Sequence, residues 1–151
     1  MNNKQFLNDL NLVEAFTKCL PQATYQFAVM LASYTLKATQ FRDRNNSYIK
    51  EAIAAANSYI LNNDSLADID NAIENVYKLE NEALDKAELY TIKTLATCLE
   101  SFSNNEKIML ACEYAIEAIS LKYDNDSFKL DNLQRFIKNT ANNLILKYIY
   151  Q

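Results

Sequence analysis

The chain contains no glycine and only one proline in 151 residues. Most strand-rich folds place glycine or proline at their tight turns, so this composition argues against a fold built from β-hairpins. Half of the residues are hydrophobic, which is enough for a packed core and too many for a disordered chain. We therefore expect helices joined by short polar turns, in a chain of the length of one ordinary domain.

The same composition excludes several kinds of functional site. Without glycine the chain cannot form a glycine-rich phosphate loop or a dinucleotide-binding turn. Without histidine it lacks the base of the common nucleophile triads and the commonest metal ligand. The cysteines Cys19, Cys98 and Cys112 are widely spaced and form no Cys-x-x-Cys pair. We therefore nominate no catalytic residue, no metal ligand and no cofactor.

Apolar residues recur at the spacing of one helical face in seven segments. The predicted helices cover about residues 4–19, 22–40, 47–61, 66–81, 84–102, 104–122 and 128–150. The second of them is apolar around nearly its whole circumference, which is typical of a helix at the centre of a bundle. The fifth and sixth are also expected in the core. The predicted fold is an all-α, single-domain bundle of about seven helices over residues 1–151, without a sheet.

The sequence also predicts where some of these helices begin and end. The fourth and fifth apolar stripes can be continued into each other, so a single helix of nearly forty residues is an alternative. We favour two helices with a junction near residues 81–85, because so long a helix is unusual in a domain of this size. Ser65 is expected to cap the fourth helix, and Ser103 with Glu106 has the spacing of a capping box before the sixth.

The charge of the chain indicates what kind of partner it suits. The formal net charge is −4, whereas nucleic-acid-binding proteins usually present a basic face; a basic protein partner is compatible with it. From the first residues we expect no signal peptide, and the most apolar run is expected to be too short to span a membrane. We expect a soluble, cytoplasmic protein with reduced, buried thiols, and neither a nucleic acid nor a membrane as partner.

Carboxylates are concentrated in the fourth and fifth predicted helices. If these helices were nearly continuous, four acidic residues would lie along one stripe. They are Asp70, Glu74, Asp85 and Glu88. One interpretation is an acidic docking face for a basic partner. The alternative is an ordinary solvated face, interspersed with Lys78 and Lys86.

Two further groups are candidates for partner contacts. Arg42 and Arg44 lie together before the third helix and could bind a carboxylate or a phosphate in bidentate fashion. A structural role at the helix ends explains them equally well. Tyr148 and Tyr150, near the C-terminus, are the tyrosines least tied to the apolar stripes, and tyrosine is enriched in interfaces.

The stretch from Arg44 to Ile119 resembles a family of immunity proteins found beside polymorphic toxins in bacteria. The motif of an Arg-led helix of the type Ala-Ile-x-Ala-Ala-x-x-Trp corresponds to Ala52–Tyr59, and the final Tyr-Ala-x-x-Ala motif lies within Ala111–Ile119. Asn62 and Asn63 stand at the turn between helices. The chain departs from the family in having Tyr59 for the tryptophan, asparagine for the turn glycine, and no histidine in the later helices.

The resemblance implies a helical protein that neutralises a toxin by direct contact, so our leading hypothesis is an immunity-type binding protein and not an enzyme. Its partner would be a protein, for example a basic toxin domain. The alternative is a helical adaptor or accessory module with another partner. A third class is an enzyme that uses carboxylates and tyrosines alone, which would require two inward-facing carboxylates; Glu100 and Glu113 are the candidates. The sequence leaves the oligomeric state open.

Overall fold

The computed structural model describes residues 2–41, 46–63 and 65–150 of the chain. The α-helices in this part are α1 (Asn3–Leu10), α2 (Leu12–Thr17), α3 (Gln22–Ala38), α4 (Ser47–Asn62), α5 (Leu66–Lys78), α6 (Lys86–Glu100), α7 (Lys107–Lys122) and α8 (Ser127–Tyr148). A short 3₁₀ segment, Leu79–Glu82, follows α5. The prediction of an all-α bundle of about seven helices is confirmed.

The described residues form no β-strand, and the only strand-like pairing among them is one antiparallel bridge between Cys19 and Ile149. This bridge fastens the C-terminal end of the chain to the turn before α3, where the amide of Leu20 donates to the carbonyl of Tyr148. Within these same residues, no helix is both long enough and apolar enough to cross a bilayer.

The first predicted helix is interrupted at Asn11, which separates α1 from α2. Asn11 adopts the left-handed conformation, with φ of 46°, and asparagine tolerates this region better than most residues do. Its side-chain amide donates to the Glu14 carboxylate at 2.5 Å. The prediction of one continuous helix over 4–19 is therefore wrong, because apolar spacing alone does not detect a one-residue break.

The predicted break between the fourth and fifth helices is confirmed. The amide of Ala83 donates to the carbonyl of Glu80, and the backbone of Ala83 is extended, with ψ of 130°, so the helical segment ends there. The next helix, α6, begins at Lys86. At the other end of α5, the Ser65 hydroxyl accepts from the amide of Ala67 at 3.0 Å, so the predicted cap forms.

The predicted capping box before α7 does not form. The amide of Ser103 is already bonded to the carbonyl of Glu100, because the last turn of α6 continues through this residue. The amide of Glu106 donates instead to the side-chain oxygen of Asn104 at 3.1 Å, and α7 starts one residue later.

The centre of the bundle is formed by α6 and α7, which pack against each other along their length, and α3 lies across both of them. Apolar side chains such as Phe27 on α3, Leu99 on α6 and Ile108 on α7 are fully or almost fully buried. Around this centre, α5 packs against α6, α8 packs against α3, and α4 packs on α3 and α5. This arrangement confirms the central positions predicted for the second, fifth and sixth helices.

Candidate functional site

The structure gives Asp85 and Glu88 a local role at the start of α6. The Asp85 carboxylate accepts from the amide of Glu88 at 2.9 Å, and the Glu88 carboxylate accepts from the amide of Leu84 at 3.0 Å. Together they satisfy two backbone donors at the N-terminus of the helix, where negative charge is also favoured by the helix dipole. The structure therefore assigns both carboxylates a capping role at the start of α6.

The other two acidic candidates, Asp70 and Glu74, are exposed on α5, one helical turn apart. They do not continue into one stripe with Asp85, since the chain folds back after α5. The hydroxyl of Tyr77, at the end of α5, donates to the carboxylate of Glu100, which is the last residue of α6. Asp85, at the opposite end of α6, is therefore about 20 Å away along the helix axis from this contact.

A second contact, next to the first, holds the segment after α5 on α6. The ammonium group of Lys93 lies 3.3 Å from the carboxylate of Glu80. Burial and the hydrogen bond to Glu100 raise the pKa of Tyr77 well above its ordinary value. Glu80 and Glu100 thus have a structural role: each makes a polar contact that joins α6 to α5 or to the segment that follows α5.

The enzyme alternative requires two inward-facing carboxylates, and Glu100 and Glu113 do not form such a pair. Glu113 is exposed on α7 and lines a shallow depression with Lys4 and Leu7 of α1. Glu100 faces Tyr77 of α5. The two carboxylates thus lie against different helices and do not both point into the core.

Arg42 and Arg44 lie outside the described residues. Tyr148, expected to be among the least constrained tyrosines, is held in place: its hydroxyl accepts from the side-chain amide of Gln26 at 2.6 Å. The amide of Tyr150 donates to the carbonyl of Lys18, although the Tyr150 ring remains 61% exposed.

An aromatic cluster closes one end of the bundle. The rings of Tyr25 and Phe102 stack with centroids 4.7 Å apart, and the edge of Tyr59 meets both. A cavity of about 480 Å³ lies beside the cluster, and Cys19 and Tyr150 contribute to its wall.

A long apolar groove runs between α3 and α4, and the sequence analysis did not identify it. It consists of two adjoining depressions of about 540 and 460 Å³ that share Asn57. The residues that line this α3–α4 groove are Gln26, Val29, Met30, Ser33, Leu36 and Lys37 of α3 with Ile49, Lys50, Ile53, Ala54, Asn57, Ile60 and Leu61 of α4.

The exposure of the groove distinguishes it from an ordinary helix seam. Met30 is 43% exposed and Leu61 is 81% exposed, while Val29, Ile53 and Ile60 are half-buried. The sequence did contain a signal for this surface, since the apolar residues of α3 extend beyond the width of one buried face. From the sequence alone, that excess indicates a helix at the centre of a bundle.

Among the described residues, no three side chains of the metal-ligating types come together in a group that could hold a metal ion. Comparisons with protein-family models, curated proteins and solved structures found no match to this chain.

Proposed function

We propose that this protein is a cytoplasmic, non-catalytic binding protein of the immunity type, which neutralises a partner toxin by direct protein–protein contact. The observation that carries the proposal is the α3–α4 groove. A contiguous apolar depression rimmed by polar groups is typical of a surface that binds another protein. Helix α4, which forms one wall, also carries the stretch Ala52–Tyr59 that resembles the immunity family.

The acidic surface has a supporting role in this proposal. Asp70 and Glu74 add to a chain with a net charge of −4, and opposite charge accelerates the encounter with a basic partner. Affinity would come from the apolar groove, because charges that stay exposed contribute little to binding free energy.

The test uses the product of the gene adjacent to the one encoding this chain. Cells that express this product alone, or together with the full chain, are compared for growth, and the two purified proteins are titrated by calorimetry. We expect rescue of growth and a complex of defined stoichiometry. Binding without any growth defect to rescue would favour the adaptor alternative, and the absence of both would contradict the proposal.

A matched pair of variants tests the surface. Met30→Glu places a charge in the groove, whereas Leu146→Glu places the same charge at a residue of α8 that is 78% exposed and does not line the groove. We expect Met30→Glu to abolish rescue and Leu146→Glu to retain it. Equal behaviour of the two variants would exclude the groove as the contact surface.

A further inference from the structure

The α3–α4 groove has a direction, because its two ends differ in charge. The helices are antiparallel along it, so that Lys37 and Lys50 line one end while Gln26 and Leu61 line the other. Among the residues that the structure describes, the two lysines are the only charged side chains that line the groove, and neither has an ion-pair partner there.

The helix dipoles favour a cation at only one of the two lysine positions. Lys37 lies in the last turn of α3, where a cation is favoured by the helix dipole. Lys50 lies at the first turn of α4, where a cation is disfavoured by the helix dipole, and this turn contains no acidic residue. The C-terminus of α3 and the N-terminus of α4 meet at this end with opposite dipole charges. Among the described lining residues, the two ammonium groups therefore give this end its positive charge.

The dimensions of the groove fit a short helix. From Gln26 to Lys37 it extends over eleven residue steps of α3, which correspond to about 16 Å, or three helical turns. Grooves of this kind between two helices bind amphipathic helices through apolar residues on one face, spaced three and four apart. Half-buried Ile53 and Ile60 supply apolar contacts along the wall.

We propose that the α3–α4 groove binds one amphipathic α-helix of the partner protein, with carboxylate side chains in its last turn against Lys37 and Lys50. This rests on the proposed function in that the partner is a protein. The orientation follows from electrostatics: the C-terminal end of a helix carries partial negative charge and faces the lysines. The bound helix thus runs parallel to α3. The partner can be basic overall and still present this local acidic end.

The experiment uses the full-length chain and synthetic peptides as probes. One fourteen-residue peptide carries leucines on one helical face and two glutamates in its last turn; the matched peptide has lysines in place of the glutamates. Fluorescence anisotropy gives the affinities, and amide chemical shifts locate the site. We expect the glutamate peptide to bind about five- to tenfold more tightly, as two partly exposed ion pairs would give. The difference should shrink with salt.

Charge exchange provides the decisive control. In a Lys37→Glu, Lys50→Glu double variant the preference should invert towards the lysine peptide, whereas Lys138→Glu, on the exposed surface of α8, should leave it unchanged. A spin label at the C-terminus of the glutamate peptide should broaden amide signals near Lys37, and one at its N-terminus should broaden those near Gln26.

Several outcomes would overturn the inference. Equal affinity of the two peptides, shifts outside α3 and α4, the reverse orientation, or no binding at the highest soluble concentration would each do so. Self-association in sedimentation that Met30→Glu abolishes would show a second copy as the occupant instead. If the lysine-to-glutamate variant still rescues growth fully, the inference fails while the proposed function stands. If the wild-type chain never rescues growth, the proposed function fails, and the peptide results still decide the chemistry of the groove.

Discussion

Burial controls the reactivity of the three cysteine side chains. Cys98 and Cys112 lie in the core on α6 and α7, 2% and 0% exposed, and Cys19 is buried beside the end cavity. All three are free thiols, as expected from their spacing. Desolvation raises the pKa of each thiol above its ordinary value, most strongly for Cys98 and Cys112. A raised pKa lowers the share of the reactive thiolate at any given pH.

Thiol titration at pH 8 should therefore separate the cysteines. In the native protein we expect slow labelling of Cys19, whose cavity is open to solvent, and protection of Cys98 and Cys112. Three thiols should react after unfolding in guanidinium chloride. Rapid native labelling of all three, or a disulfide in the native protein, would contradict the burial of these residues.

Ile116 tests the packing of α7 at the level of one side chain. It is 7% exposed and, with Leu7 of α1, lines a depression between the two helices. Ile116→Ala should lower the free energy of unfolding by about 2 kcal/mol or somewhat more, the lower part of the range for deleting a large buried side chain. Leu121→Ala, at a position 38% exposed on the same helix, should cost less than about 1 kcal/mol. Denaturant unfolding of both variants measures the difference.

At the level of the helices, the start of α6 depends on one carboxylate. Asp85→Ala removes the acceptor for the amide of Glu88 and should lower the free energy of unfolding by about 1 kcal/mol. Asp70→Ala removes the same charge from an exposed position in α5 and should change it by no more than about 0.5 kcal/mol. Equal effects in thermal or denaturant unfolding would show that charge, and not capping, determines the loss.

Helix caps show which part of the local structure the sequence determines. Both Asp85 with Glu88 and Ser103 with Glu106 have the spacing of a capping box. Only the first pair caps its helix, with Asp85 accepting from the amide of Glu88 and Glu88 accepting from the amide of Leu84. Near Ser103 the backbone amide is already used by the preceding helix. The motif therefore predicts a cap only where the chain has left the previous helix, and that depends on packing. Helix existence was predictable from apolar spacing, while the break at Asn11 was not.

At the level of the whole molecule, the sequence shows that α3 carries more apolar residues than one buried face needs, but it does not place the α3–α4 groove. The apolar circumference of α3 predicted a central helix, and α3 does contact α4, α6, α7 and α8. These four neighbouring helices leave the face of α3 that carries Met30 exposed. That exposure depends on how all of the helices are arranged, which apolar spacing within one helix does not determine. The acidic residues were visible in the sequence, but their supposed alignment assumed a continuity between helices that the fold does not have.

The remaining prediction concerns the acidic surface of α5 in partner binding. Asp70→Lys with Glu74→Lys reverses two exposed carboxylates one turn apart and leaves the caps of α6 intact. The net charge changes from −4 to about 0, since each reversal adds two positive charges. With a basic partner we expect slower association and a weaker dependence of the rate on salt, because opposed charge mainly accelerates encounter. Stability should change little.

Stopped-flow association at two salt concentrations measures this effect against a matched control. Glu113→Lys with Glu117→Lys reverses two exposed carboxylates at the same spacing on α7 and gives the same net charge. If both double variants slow association equally, the total charge of the protein steers the partner and the position on α5 has no special role. If only the α5 variant does so, that surface faces the approaching partner. An unchanged rate in both would mean that neither pair of carboxylates steers the partner, and would contradict the supporting role proposed for the acidic surface of α5.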